Sequence, residues 1–145
     1  MVRRWPFTAN RSSVMPVARR FIRCISLSPS ASRLAVLYGA PPKTLEICDV
    51  ATGRILASAE VELGGSGTSL GWSPGESLLG CVERRGISLF QSATLLRTHL
   101  IEMPYPASVS FSPHGGLLGL ASWQQGRVLD MTEVSPHELH ANVAS

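Results

Sequence analysis

The chain has 145 residues, 44% of them hydrophobic and 16% charged, which is long enough for one hydrophobic core and too apolar for disorder driven by composition. The formal net charge of +3 hides an asymmetry: residues 1–45 hold eight Lys or Arg and no acid, whereas residues 46–145 hold five bases against ten acids. The basic balance therefore belongs to the N-terminal third and gives no reason to expect nucleic acid as the partner of the remainder.

Residues 1–20 are acid-free, contain Arg and Ser, and are interrupted by Pro6 and Pro16. Three readings are open. One is a basic arm with little fixed structure. Another is a mitochondrial targeting segment, although the two prolines would break the amphipathic helix it requires. The third is an arm that meets phosphates or anionic lipid through Arg3, Arg4, Arg11, Arg19 and Arg20.

From Phe21 the pattern becomes strand-like. Phe21 to Leu27 is short and apolar and runs into the Ser28-Pro29 turn. Leu34 to Tyr38 is a second run, and Pro41-Pro42 then interrupts the ladder. Thr44 to Val50 alternates, with Leu45 and Ile47 on one face, and Arg54 to Leu63 follows a Thr52-Gly53 turn. The order then recurs. Thr68 to Trp72, Leu78 to Val82, Ile87 to Phe90 and Thr94 to Glu102 form a second set. Ser108 to Phe111, Leu117 to Trp123 and Arg127 to Met131 form a third, which lacks an outer strand. Ser135-Pro136-His137-Glu138 then reads as the start of a short helix running to about Asn142, with Ser135 as N-cap and Glu138 closing a capping box.

Ser28-Pro29, Ser73-Pro74 and Ser112-Pro113 stand at matching places in the three sets, and their prolines lie 45 and 39 residues apart. A period of about 40–45 residues built from short apolar runs and turns marks β-propeller blades. Helical repeats of that period need two amphipathic helices per unit, and a βαβ fold needs helices between its strands. Neither pattern is present before Ser135. The expected fold is all-β: propeller-like blades of four-stranded antiparallel sheets, an incomplete ring and a short C-terminal helix. The expected division is an arm over 1–20, blades over 21–63, 68–102 and 107–132, and a tail over 133–145.

The segment Thr44-Leu45-Glu46-Ile47-Cys48-Asp49-Val50-Ala51-Thr52-Gly53-Arg54 resembles the third strand and following turn of a WD40 repeat, with Cys48 in the family's Trp position and Asp49 in its Asp position. Phe90-Gln91 and Leu129-Asp130 occupy that dipeptide in the other sets, and Ser112-Pro113-His114-Gly115 approaches the family's Ser-Pro-Asp-Gly turn. The resemblance covers roughly residues 21–132. It departs from the family in two places. No set opens with the Gly-His pair, and none has the Asp before strand three, so the family's buried Asp-His-Ser/Thr-Trp network is not expected here. Closed propellers have about four to eight blades, and three leave flanks open. A fragment or short form of a longer propeller is expected. The alternatives are ring completion by self-association or a partner chain, and an open stack capped by the arm and the terminal helix.

No catalytic, metal or cofactor constellation stands out. His137 and His140 are spaced for a shared metal but lack a third ligand, and His114 reads as a surface turn residue. His99, within an outer strand, is expected to be exposed or in a partner contact. Gly64-Gly65-Ser66-Gly67-Thr68 lacks the Lys-Ser/Thr ending of a phosphate loop and reads as an inter-blade connection. Glu60 and Glu62 read as one solvated strand face. Cys24, Cys48 and Cys81, odd in number and without a CxxC pair, suggest neither zinc nor a disulfide framework; half-buried thiols in a reducing compartment are expected. No apolar run reaches the roughly 18 residues of a spanning helix.

What the WD40 resemblance implies is a non-enzymatic interaction scaffold that meets other proteins or peptides, with no cofactor and no small-molecule substrate, in the cytoplasm or nucleus. Candidate partner contacts are the Arg84-Arg85 turn tip, for which a solvated turn is the favoured reading, and Trp123 with Gln124, for which core packing of Trp123 is favoured over contact. The alternatives in function are a piece of a propeller-type enzyme and a binder of anionic surfaces acting through the arm.

Overall fold

A computed structural model describes residues 21–131, which form eleven β-strands and no helix. The first sheet holds β1 (Ile22–Leu27), β2 (Arg33–Tyr38), β3 (Thr44–Asp49) and β4 (Ile55–Glu60), hydrogen-bonded in that order. The second repeats the arrangement with β5 (Leu70–Trp72), β6 (Leu78–Val82), β7 (Gly86–Gln91) and β8 (Arg97–Glu102). The third has only β9 (Pro106–Phe111), β10 (Leu117–Ser122) and β11 (Gly126–Asp130). All pairings are antiparallel between neighbours in sequence, as the short turns require. This is a partial β-propeller without ring closure. The arginines of the basic arm and the helix expected from Ser135, with His137 and His140, lie outside the described residues.

The Ser-Pro turns are one structure made three times. In each, the serine amide donates to the carbonyl five residues on, at 2.9 Å, and the serine hydroxyl accepts the amide of that same residue at 3.0–3.1 Å. The residue two after the proline closes the turn in the left-handed region: Ala31 (φ 62°), Glu76 (φ 63°) and Gly115 (φ 75°). Serine serves because its side chain can stand in for a backbone acceptor, and proline fixes the following φ.

Two cores lie between the sheets. Ala35, Leu37, Leu45 and Ile47 of the first blade meet Trp72, Leu79, Cys81 and Phe90 of the second. Val82, Ile87, Leu89 and Ile101 of the second meet Val109, Leu118 and Leu120 of the third. The innermost strands β1, β5 and β9 neighbour one another in turn. Trp72, expected in the core, is buried there, and its indole N–H donates to the Ser26 carbonyl at 2.9 Å, which ties β5 to β1. Glu76 adds to the same end of that seam, where Arg33 also lies 5.1 Å over the Trp72 ring. The Glu76 carboxylate accepts from the Ser30 amide and hydroxyl, each at 3.0 Å, and faces Arg33 at 3.6 Å.

Three expectations need correction. His99 is 5% exposed, not a surface residue: β8 turns His99 and Ile101 inward, and the Thr98 hydroxyl lies 2.8 Å from His99 Nδ1. β3 is buried on both faces rather than one, so Glu46 is buried along with Leu45 and Ile47. Cys48 and Cys81 are fully rather than half buried, Cys24 alone being intermediate, and all three are free thiols. Burial first, then the nearby Glu83 carboxylate, pushes the Cys81 thiol up.

Candidate partner-binding face

The turns joining second to third strands and the loops joining one blade to the next lie at one end of the sheets. The connection 61–69 organises this end. The Glu62 amide donates to Glu83 Oε2 at 2.8 Å, the Arg84 amide donates to the Glu62 carbonyl at 2.6 Å, and the Ser66 hydroxyl donates to the Pro106 carbonyl at 2.7 Å. Gly67 is needed for this path, since a Cβ there would stand 2.5 Å from the Ala107 Cα. The loop thus bridges the Arg84-Arg85 turn of the second blade and the first residues of the third.

Arg84 and Arg85 are exposed at the tip of the 83–86 turn, in which the Glu83 amide donates to the Gly86 carbonyl at 2.8 Å. Arg85 pairs with Glu102; the Arg84 guanidinium has no ion pair among the described residues. Trp123 lies just after β10 and is 65% exposed, so the core reading fails. It is nevertheless held in place. Its ring stacks on Tyr105 with centroids 5.2 Å apart and planes 10° from parallel, its indole N–H donates to the Ser66 carbonyl, and its amide donates to the Tyr105 carbonyl at 3.1 Å. Gln124 is exposed beside it, with its amide donating to the Ser122 hydroxyl at 3.2 Å.

Loop 61–69 therefore brings Arg84, Arg85, Trp123 and Gln124 to one face, and adds Tyr105, itself 52% exposed, which sequence reasoning missed. A lone Tyr in a Pro-Tyr-Pro connection gives no signal of stacking on a tryptophan 18 positions away. The stacked pair presents a flat, exposed aromatic surface on this face.

The Asp-centred network absent from the sequence has a substitute. Glu83, buried, accepts from the Ser88 hydroxyl, from Arg97 Nη2 at 2.6 Å and from Arg97 Nε at 3.2 Å, while the Arg97 Nε also reaches Ser88 Oγ at 3.1 Å. Arg97 lies over the Phe90 ring at 5.1 Å. Glu83 and Arg97 line a cavity of about 300 Å³ together with Glu60, Val61, Glu62, Arg85 and Leu100. Glu83 takes up Arg97 and Glu102 takes up Arg85, whereas Glu60 and Glu62 are exposed and have no ion pair among the described residues. Among the described residues no cluster of three His, Cys, Asp or Glu is placed to hold a metal ion.

No protein-family model and no curated protein matches the chain. Solved structures do. The WD40 repeats of RRP9 share 18% identity and a TM-score of 0.66, over 85% of this chain and 39% of that one. The β-propeller domain of Cps50 (Swd1) from Myceliophteria thermophila shares 19% identity and a TM-score of 0.66, over 81% and 38%. Hydrazine synthase from Kuenenia stuttgartiensis shares 17% identity and a TM-score of 0.63, over 74% and 32%. The chain spans roughly a third to two fifths of these structures. The fold is that of WD40-type propeller blades, and it is found in an enzyme as well as in repeat domains.

Proposed function

We propose that the chain is a protein-interaction module, a set of WD40-like blades that works within a larger propeller or complex. The observation that carries this reading is Trp123: a large aromatic, 65% exposed, yet fixed by stacking on Tyr105 and by its bond to Ser66. An ordered, exposed aromatic loses little conformational freedom on binding, which is what an interface anchor requires. Arg84, Arg85 and Gln124 form the polar surround, and a partner peptide or loop carrying an acidic group beside a flat or apolar one fits them. The three free cysteines agree with a reducing compartment. The test is quantitative affinity capture with the wild-type chain, Trp123→Ala and Arg84→Glu, each checked for its strand signature by circular dichroism. The expected result is a set of proteins retained by wild type and lost at least about tenfold by both variants, since an aromatic or charged anchor contributes about 1–4 kcal/mol. An unchanged set would reject the loop face as the binding face.

A further inference from the structure

We propose that the basic N-terminal segment, residues 1–20, docks on the outward face of the first blade and closes it. The inference is independent of the loop face described above.

Alternate residues of β2 and β3 point away from the second blade. Val36 and Tyr38 are fully buried and Cys48 is 2% exposed, and with Leu34 they form a cluster separate from both inter-blade cores. Yet among the described residues no strand packs over this face. The register places Ile25 opposite Val36 and Leu27 opposite Leu34, so these two belong to the same face. They are 56% and 51% exposed. The face is therefore closed over its middle strands and open at its inner one. A neighbouring blade does not leave that pattern: on the corresponding face of the second blade, which the first blade covers, the inner-strand Trp72 is 8% exposed. The occupant is narrower than a sheet.

Its charge follows from Glu46. Paired in register with Val36, Glu46 is 6% exposed, and its Oε1 has no hydrogen-bond partner among the described residues. A buried carboxylate in that state calls for a cation. Burial, and then the Glu46 charge, also pushes the neighbouring Cys48 thiol up. Two segments lie outside the described residues. Residues 132–145 carry Glu133 and Glu138 and no Lys or Arg, and they leave from the far blade. Residues 1–20 carry Arg3, Arg4, Arg11, Arg19 and Arg20 with no acid, include Trp5 and Phe7, and join β1 of this same blade. Twenty extended residues reach about 65–70 Å, and a four-stranded sheet is only about 15–20 Å across. Length, continuity and charge together select the N-terminal segment. Since this face is also where a further blade would pack, the segment and such a blade compete for it.

Cys48 reports on the cover. In the full chain it should react slowly with N-ethylmaleimide at mildly alkaline pH, as mapped by peptide mass spectrometry. Removing residues 1–20 should speed its modification about tenfold or more while Cys81, inside the inter-blade core, stays protected, and adding the 1–20 peptide in trans should restore protection. The full-length variant R3Q/R4Q/R11Q/R19Q/R20Q, which keeps the chain intact, should show the same selective release of Cys48. The proposal is overturned if Cys48 stays protected in both variants or if removal of 132–145 releases it instead. It is equally overturned if the arginine variant releases Cys81 as readily as Cys48, because the arginines would then support the whole fold rather than close one face.

Discussion

Serine makes the three turns alike, and glutamate makes one of them different. At the left-handed turn position, glycine would avoid a cost of about 1–2 kcal/mol that a side chain incurs, and the third blade uses Gly115 there. The second blade keeps Glu76, whose carboxylate crosses to the first blade. Burial works to raise the Glu76 carboxyl, but the Ser30 and Ser28 hydroxyls, the Ser30 amide and the Arg33 charge together hold it below the ordinary carboxylate range. The folded state therefore binds this proton less tightly than the unfolded chain does. The resulting stabilisation is complete above the unfolded pKa, near about 4.3, and is lost as pH falls through the lower folded value. Wild type should exceed Glu76→Gln in urea midpoint at neutral pH, and the gap should narrow as pH falls below the ordinary carboxylate range. A gap that stays constant through that fall would show that Glu76 acts through packing alone.

Strands and turns divide the labour differently. The hairpin between β6 and β7 must pass close to β8: a Cβ on Gly86 would stand 2.1 Å from the Ile101 carbonyl oxygen. Gly86→Ala should therefore cost about 1–3 kcal/mol, read as a lowered denaturation midpoint. Because this turn presents Arg84 and Arg85, it should also disturb capture of any partner held there; an unaltered midpoint would mean that the turn relaxes freely. Much of this level is legible in the sequence, because Ser-Pro recurs at matching places in the three sets and single Thr-Gly and Arg-Gly turns break the apolar runs between them. Three features are not. Glu83, Ser88 and Arg97 sit on a turn and two strands, and charged residues at such spacing read as solvated until the register brings them together. β8 has apolar residues in both alternations, Leu100 and Ile101, so nothing local says that His99 faces inward. Trp123 is ordered by Tyr105 and Ser66, both distant in sequence.

The array as a unit has two unlike flanks. The outward face of the third blade carries Val128, 69% exposed, with Gly119 opposite it in register, and Leu117 at 46%. Such a surface favours association. Light scattering should show an apparent mass that rises with concentration for the wild-type chain and a smaller rise for Val128→Lys; a concentration-independent monomer for both would show that this flank is satisfied within the chain. The two internal seams are also unlike each other, one built around Trp72 and the other around Gly80 set against Val109. That difference gives the stack a polarity, like a row of bricks with a tongue on one side and a groove on the other. Anything that extends it, whether more of the same chain, another protein or a second copy, joins head to tail, through a heterologous contact rather than a self-complementary one. Two copies joined so at both ends, with residues 1–20 displaced from the outward face of the first blade, would double the three blades described, to a count inside the range of about four to eight at which such rings close. Copies that met tail to tail would instead oppose two identical flanks and leave the outer ones bare.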